Sequence, residues 1–194
     1  LATLQEGGFT RSDLPDFAKG EVICAVRRWN GLKDEERLLL VTSRGVARAL
    51  NMARLRPGIE GGQPLKLDWP YPHWPTAVLS GAVKDSLLLV TSAGRAARMA
   101  VGDVSVQGSQ VIPVAWDKGE RIAGAVRVAG QRQVIVLTSD GYAKRFVANL
   151  LPRIEKASQS GTIIRRPVAA VGLRAGETML ALTSRRCLPF LKGS

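Results

Sequence analysis

An internal repeat with a period of about 47 residues constrains this chain of 194 residues more than any other feature of its sequence. Residues 38–48 (LLLVTSRGVAR) recur as residues 87–98 (LLLVTSAGRAAR) and 134–145 (VIVLTSDGYAKR), and a degenerate fourth copy spans residues 179–186 (MLALTSRR). The threonines of the four copies follow one another at spacings of 49, 47 and 45 residues. A near-constant period of this size is typical of propeller blades built from about four short strands.

Each copy of the repeat predicts a β-hairpin. A short run rich in Leu and Val is broken by Thr-Ser-x-Gly and followed by a second short segment, which favours strands over a helical repeat of similar length. The turn needs a residue at positive φ, so Gly45, Gly94 and Gly141 are expected to adopt that conformation. The fourth copy has Arg186 at this position, so either its turn is distorted or the chain leaves the repeat there.

Further apolar segments predict additional strands in each repeat. One kind precedes each copy and is expected to pair with the Leu/Val run of that copy: residues 21–26, 76–83, 121–126 and 167–172. The other kind lies between copies, at residues 64–67, 110–114 and 161–166. The sequence therefore predicts an all-β fold of about four propeller-like blades with three or four strands each. We expect one domain over residues 1–194, with residues 1–20 as a leading segment.

The charge of the chain favours a polyanionic partner. Its 28 Lys and Arg against 16 Asp and Glu give a net charge of +12, which suits DNA, RNA or an anionic membrane surface. No basic run of five or more residues occurs, so the charge is expected to decorate a folded surface.

Some of these cations recur with the repeat. A cation lies three or four positions after each of the three turn glycines, at Arg48, Arg98, Lys144 and Arg145. If the copies occupy equivalent places, the four form a basic band on one rim that can follow DNA phosphates. Alternatively, they only protect sheet edges from pairing. Cations between the copies would widen the band: Arg54, Arg56, Arg153, Lys156, Arg165 and Arg166.

The remaining residues support no catalytic centre or cofactor site. His73 is the only histidine, and neither Cys24 nor Cys187 lies in a metal-binding spacing, so both are expected to be buried, reduced thiols. No glycine-rich phosphate-binding loop occurs. The first residues carry no secretory signal, and no apolar run is long enough to cross a bilayer, so a piece of a longer cytoplasmic protein is expected.

Residues 69–75 (WPYPHWP) interrupt the repeat between its first two copies. Their alternating prolines predict an extended loop without helix. Its aromatic rings could stack on bases, but packing on a blade edge is the preferred interpretation, because a protein that contacts duplex phosphates meets no unstacked bases.

The apolar run, the Thr-Ser-x-Gly turn and the cations after it resemble the repeat of the C-terminal domains of gyrase and topoisomerase IV A subunits. Residues 137–146 (LTSDGYAKRF) match best, and the resemblance extends over about residues 20–190. It implies a β-pinwheel, a disc of propeller-like blades that exchange strands. In such a domain a basic perimeter bends duplex DNA and presents it to the cleavage core of a bacterial type IIA topoisomerase.

The resemblance also implies partners and places the chemistry elsewhere. Double-stranded DNA, the remainder of the A subunit and the B subunit are the expected partners, and no membrane is involved. The catalytic tyrosine, ATP and magnesium would belong to the parent enzyme, so no cofactor is expected in this chain and neither Tyr71 nor Tyr142 is a nucleophile.

The sequence departs from the gyrase pattern in two respects. The heptapeptide Gln-Arg-Arg-Gly-Gly-Lys-Gly, which gyrases need for chiral wrapping, does not occur, so gyrase-type supercoiling is not implied. Four repeat copies replace the six blades typical of gyrase, which fits either a truncated piece or a shorter, open pinwheel. Two other functions are weighed against DNA bending: a propeller-like module that binds an acidic protein, and an enzyme with its own pocket.

Overall fold

The four copies of the repeat fold into four antiparallel hairpins. The computed structural model describes residues 21–25, 33, 35–62, 69, 72–111, 118–130, 133–151, 161–162, 165–173, 178–182 and 187–192. The strands are β1 (Glu36–Thr42), β2 (Val46–Asn51), β3 (Pro75–Ala82), β4 (Ser86–Thr91), β5 (Arg95–Ala100), β6 (Ser109–Gln110), β7 (Ile122–Val128), β8 (Gln133–Thr138), β9 (Ala143–Val147), β10 (Gly161–Thr162), β11 (Pro167–Leu173), β12 (Thr178–Leu182) and β13 (Cys187–Lys192). The helix α1 (Met52–Glu60) and the 3-10 turns Val101–Asp103 and Ala148–Leu150 complete the described elements. The predicted all-β, propeller-like fold is confirmed.

The turns of the first three hairpins have the same geometry. Gly45, Gly94 and Gly141 have φ of 74°, 86° and 87°, which confirms the predicted positive φ. Each glycine N–H donates to the carbonyl of the threonine three residues earlier, at 3.1, 2.9 and 3.1 Å. The hydroxyl of the same threonine accepts from the N–H of the residue after the glycine, at 3.1, 3.2 and 3.0 Å.

Strand exchange links the sheets. The strand orders are β3-β1-β2-β6, β10-β5-β4-β7, β11-β8-β9 and β12-β13. In the first three sheets the hairpin pairs with the strand that precedes the next hairpin, namely β3, β7 or β11. In the first two sheets the second hairpin strand also pairs with a short strand that follows the next hairpin: β2 pairs with β6, and β5 pairs with β10. The segments before the second, third and fourth copies therefore pair with the Leu/Val run of the preceding copy, not with that of their own copy as expected. This pairing is the strand exchange that the family resemblance implied.

The core lies between stacked sheets. Leu39, Val41, Ala47 and Ala49 of the first sheet pack against Leu87, Leu89 and Ala97 of the second. On its other face the second sheet packs Leu88, Val90 and Ala96 against Val134 and Val136 of the third. Because β4 is covered on both faces, all six of its residues are buried, and its sequence is a continuous apolar run without alternation.

The sheets converge on the side of β3, β7 and β11, which we call the inner strands. A Cβ on Gly124 of β7 would lie 2.6 Å from the Cβ of Ala170 of β11, so the two strands approach as closely as glycine allows. β3 and β7 are also in contact. In each of these sheets the first hairpin strand lies next to the inner strand, and the second hairpin strand lies farther from it. We call these second strands, β2, β5 and β9, the outer strands.

Several local expectations were wrong. Residues 21–25 form no strand, and Cys24 is exposed instead of buried. Trp74 exposes 64% of its surface, so this ring does not pack on a blade edge. In the fourth copy β13 pairs with β12, so the chain does not leave the repeat after Arg186, although the turn itself lies outside the described residues. Residues 64–67, 112–114, Arg153 and Lys156 lie outside them as well.

Candidate nucleic-acid interface

Six of the eight cations predicted to bind DNA lie on the outer strands or directly after one. Arg48 lies on β2, Arg98 on β5, and Lys144 and Arg145 on β9, while Arg54 and Arg56 lie on α1, which follows β2. Arg165 and Arg166 instead precede the inner strand β11.

The strand register divides the four post-turn cations into two pairs. Arg48 lies opposite Leu40 and Lys144 opposite Val136, each two residues before the turn threonine. Arg98 and Arg145 lie opposite the residues one position earlier, Leu88 and Ile135. Because successive residues of a strand point to opposite faces, the pairs face opposite sides of their sheets. The cations therefore form two sets of equivalent positions, not the single set expected.

Four of the eight cations interact with other parts of the protein, namely Arg48, Arg56, Arg98 and Lys144. Arg98 is only 8% exposed, and its Nη1 donates to Oδ1 of Asn149 at 2.9 Å. The Nε of Arg48 donates to the carbonyl of Val106 at 2.6 Å. On α1, Arg56 forms an ion pair with Glu60 at 3.3 Å. These bonds reduce what each guanidinium can offer to an external anion.

Five of the eight predicted cations have exposed side chains: Arg54, Lys144, Arg145, Arg165 and Arg166. Lys144 and Arg145 lie next to each other on β9, which forms the outer edge of the third sheet in the described structure. Whether any of the eight binds DNA stays a prediction.

Further cations are held in ion pairs that join the sheets or brace one of them. Arg95 pairs with the buried carboxylate of Glu120, to which its Nε donates at 3.0 Å. Arg127 of the second sheet bonds to Asp85 at 2.7 Å and lies 3.7 Å from Glu36 of the first sheet. Part of the positive charge of the chain is thus compensated internally.

A cavity of about 270 Å³ lies between the turn ends of the second and third sheets. Its lining residues are Ser92, Arg121, Ile122, Ala123, Ser139, Arg166, Pro167 and Val168. Backbone bonds frame it: Ser92 N–H donates to the carbonyl of Arg121 at 2.8 Å, and Ser139 N–H donates to the carbonyl of Arg166 at 3.1 Å.

The cavity brings the predicted Arg166 together with Arg121, which the sequence analysis missed. Each of the two arginines directly precedes an inner strand, β7 or β11, and they are 45 residues apart, one period of the repeat. An alignment of the inner strands, in addition to the hairpins, would have identified the pair.

One carboxylate lies close to Arg166. The Thr138 hydroxyl donates to Asp140, and this bond and a backbone hydrogen bond are the main causes that lower the pKa of Asp140. Desolvation opposes them, and the positive charge of Arg166 lowers the pKa by a smaller amount. Asp140 therefore stays ionised and offsets part of the charge of Arg166.

Among the described residues no three His, Cys, Asp or Glu side chains are grouped so that they could hold a metal ion. No helix in that part of the chain is both long enough and apolar enough to cross a membrane.

Comparison with known proteins relates the repeat to a family. Residues 85–129 and 132–160 match the family model of the DNA gyrase C-terminal domain, described as a beta-propeller. A DNA gyrase A C-terminal domain structure is similar at a TM-score of 0.59 and 16% identity, over 77% of this chain and 52% of that one. The C-terminal domain of DNA topoisomerase IV gives 0.65 and 17%, over 80% and 52%, and the E. coli ParC C-terminal domain gives 0.58 and 16%, over 80% and 69%.

This chain thus spans about half the length of the first two solved domains. No match was found among curated protein sequences.

Proposed function

We propose, for a chain whose second and third repeats match the DNA gyrase C-terminal domain family, that it binds duplex DNA without base specificity and bends it. In this proposal the duplex runs along the outer strands. The bent segment is presented to the cleavage core of a type IIA topoisomerase A subunit, which carries out ATP-dependent strand passage together with its B subunit.

The observation that carries this proposal is the placement of exposed cations on the outer side. Lys144 and Arg145 are exposed on β9, and Arg54 is exposed on the helix that follows β2. Phosphates attract such cations whatever the sequence of the bases, and each neutralised phosphate releases counterions, which favours binding. The net charge of +12 adds a long-range attraction for the duplex.

The arrangement of the sheets supports bending. Their inner strands approach each other closely, β7 and β11 at Gly124 and Ala170, and this supports an arrangement in which the sheets splay apart toward the outer strands and form a convex side. A duplex that contacts cations of successive sheets on a convex side has to curve. Smooth bending of a short duplex costs roughly 1–6 kcal/mol, which several phosphate contacts can offset.

The proposal assigns the remaining chemistry to the parent enzyme. The catalytic tyrosine, the ATP site and the magnesium ligands would lie in the rest of the A subunit and in the B subunit, in the bacterial cytoplasm. The sequence of this chain supports that division, since it contains no phosphate-binding loop of the nucleotide-binding kind and one histidine.

A ring-closure assay tests binding and bending together. Two linear fragments of about 150 base pairs, one persistence length, and of unrelated sequence are ligated with and without the protein. We expect both to close faster with the protein, and the effect to fade as salt rises, because counterion release weakens. Closure that stays unchanged while the fragments are bound contradicts bending. Binding that persists from low to high salt contradicts phosphate recognition and supports an apolar protein interface.

A further inference from the structure

We propose that the cavity between the second and third sheets binds a phosphate group through Arg121 and Arg166. The cavity lies beside the inner strands β7 and β11, so this site is separate from the outer strands of the proposed function. The phosphate can belong to a DNA backbone or be free in solution as phosphate or pyrophosphate.

The lining of the cavity suits an oxyanion. Both arginines are exposed, and neither guanidinium takes part in an ion pair with the described residues. Ser92 Oγ accepts from the N–H of Arg121 at 3.1 Å, which leaves its hydroxyl proton to donate. Guanidinium groups are among the donors that phosphate oxygens bind most strongly, and the Ser92 hydroxyl adds a neutral donor.

We call the contact between the turn of one sheet and the inner strand of the next sheet a junction. The cavity exists because the junction of the second and third sheets lacks two hydrogen bonds that are present in the junction of the first and second sheets. Between the first and second sheets, Ile122 N–H donates to the carbonyl of Ser43 at 2.8 Å. Arg44 also reaches across, and its Nη1 donates to the carbonyl of Glu120 at 2.9 Å. These bonds join the turn of one sheet to the inner strand of the next.

Neither bond has a counterpart between the second and third sheets. Ile122 lies opposite Thr91, and Pro167 lies opposite Thr138, so Pro167 is the equivalent of Ile122. Proline has no N–H, so it cannot donate the hydrogen bond that Ile122 donates. Ala93 replaces Arg44 in the turn and has no side-chain donor. The second junction therefore contains a cavity at the place where two hydrogen bonds close the first junction.

A further difference between the two junctions makes the second one more basic, although Ala93 lacks the charge of Arg44. Glu120 precedes Arg121 before β7, whereas the same position before β11 holds the exposed Arg165. An open cavity thus coincides with added positive charge. Asp140 opposes this charge near Arg166, so its removal should strengthen anion binding.

Calorimetric titration of the full chain with inorganic phosphate and with pyrophosphate tests the site. The buffer contains no phosphate, and sodium chloride keeps the ionic strength constant. We expect pyrophosphate to bind more tightly than phosphate, and the R121Q/R166Q variant to lose about tenfold or more in affinity, as expected when charged hydrogen bonds are removed. The matched K33Q/K84Q variant removes two exposed cations elsewhere and should bind as the unchanged protein does.

Two single variants test the cavity more specifically. P167I restores an N–H that can reach the carbonyl of Ser92, so it should weaken pyrophosphate binding although both arginines are retained. D140N should strengthen it. Melting temperatures identify any variant that does not fold. Equal weakening in R121Q/R166Q and K33Q/K84Q, or no binding beyond that of chloride, overturns the proposal.

Competition with duplex DNA distinguishes the sources of the phosphate. If a short duplex displaces pyrophosphate and binds R121Q/R166Q less tightly, the cavity takes a backbone phosphate. If the duplex neither displaces pyrophosphate nor distinguishes the variant, the site serves free phosphate. Failure of the cavity leaves ring closure unaffected, so the two proposals are tested separately.

Discussion

The threonine of the Thr-Ser-x-Gly turn has a structural role that the sequence analysis did not predict. Sequence reasoning explained the glycine by its positive φ, and that prediction is confirmed. The structure adds that Thr42, Thr91 and Thr138 are buried and that each hydroxyl accepts a backbone N–H across the turn. The available signal was the presence of this threonine in all four copies, which glycine alone cannot explain.

Replacing Thr91 tests this role. T91V keeps the shape of the side chain but leaves the N–H of Arg95 without the hydroxyl acceptor that it has at 3.2 Å. We expect unfolding free energy to fall by about 1–3 kcal/mol, the cost of an unsatisfied buried donor, as measured by urea denaturation. T91S keeps the hydroxyl and is the control. A T91V protein as stable as T91S would show that the bond contributes nothing.

At the scale of elements, the hairpins were predictable and their partners were not. A hairpin is encoded locally, in two apolar runs and the turn between them, whereas the exchange of β3, β7 and β11 depends on contacts between residues far apart in the chain. Helix α1 was not predicted because Pro57 and Gly58 disfavour it. It forms because Asn51 caps it, accepting from Ala53 N–H at 2.9 Å, and because Met52 is fully buried.

The approach of the inner strands can be tested at Gly124. G124A places a Cβ 2.6 Å from the Cβ and backbone nitrogen of Ala170, so β7 and β11 must separate. Overpacking of this kind costs typically about 1–3 kcal/mol, and we expect the melting temperature to fall accordingly. A G124A variant with the same melting temperature as the unchanged protein would contradict the close packing of these strands.

At the scale of the whole molecule, the repeat predicted where the cations lie but not which of them are accessible. Placement on the outer strands follows from the position of each cation after its turn, which is a local property. The buried Arg98 donates to Asn149, 51 residues away, and Arg95 donates to Glu120, so neither interaction could be predicted from spacing. Arg121 was not predicted as a site residue because its segment, residues 121–126, indicated only a strand.

The central claim is that duplex phosphates follow the outer strands, and filter binding of two charge-matched variants tests it most directly. K144Q/R145Q removes two exposed cations of β9, and K33Q/K84Q removes two exposed cations elsewhere. Both are titrated with a duplex of about 40 base pairs, long enough to span several phosphate-binding cations, at several salt concentrations.

The account predicts weaker binding by K144Q/R145Q and a salt dependence shallower by roughly 0.9 for each phosphate that the variant no longer neutralises. K33Q/K84Q should change little, because charges farther from the duplex than a screening length of about 8–10 Å contribute little. Both variants must keep the melting temperature of the unchanged protein. Equal weakening of binding in the two variants would mean that net charge alone drives binding, and would contradict a DNA path along the outer strands.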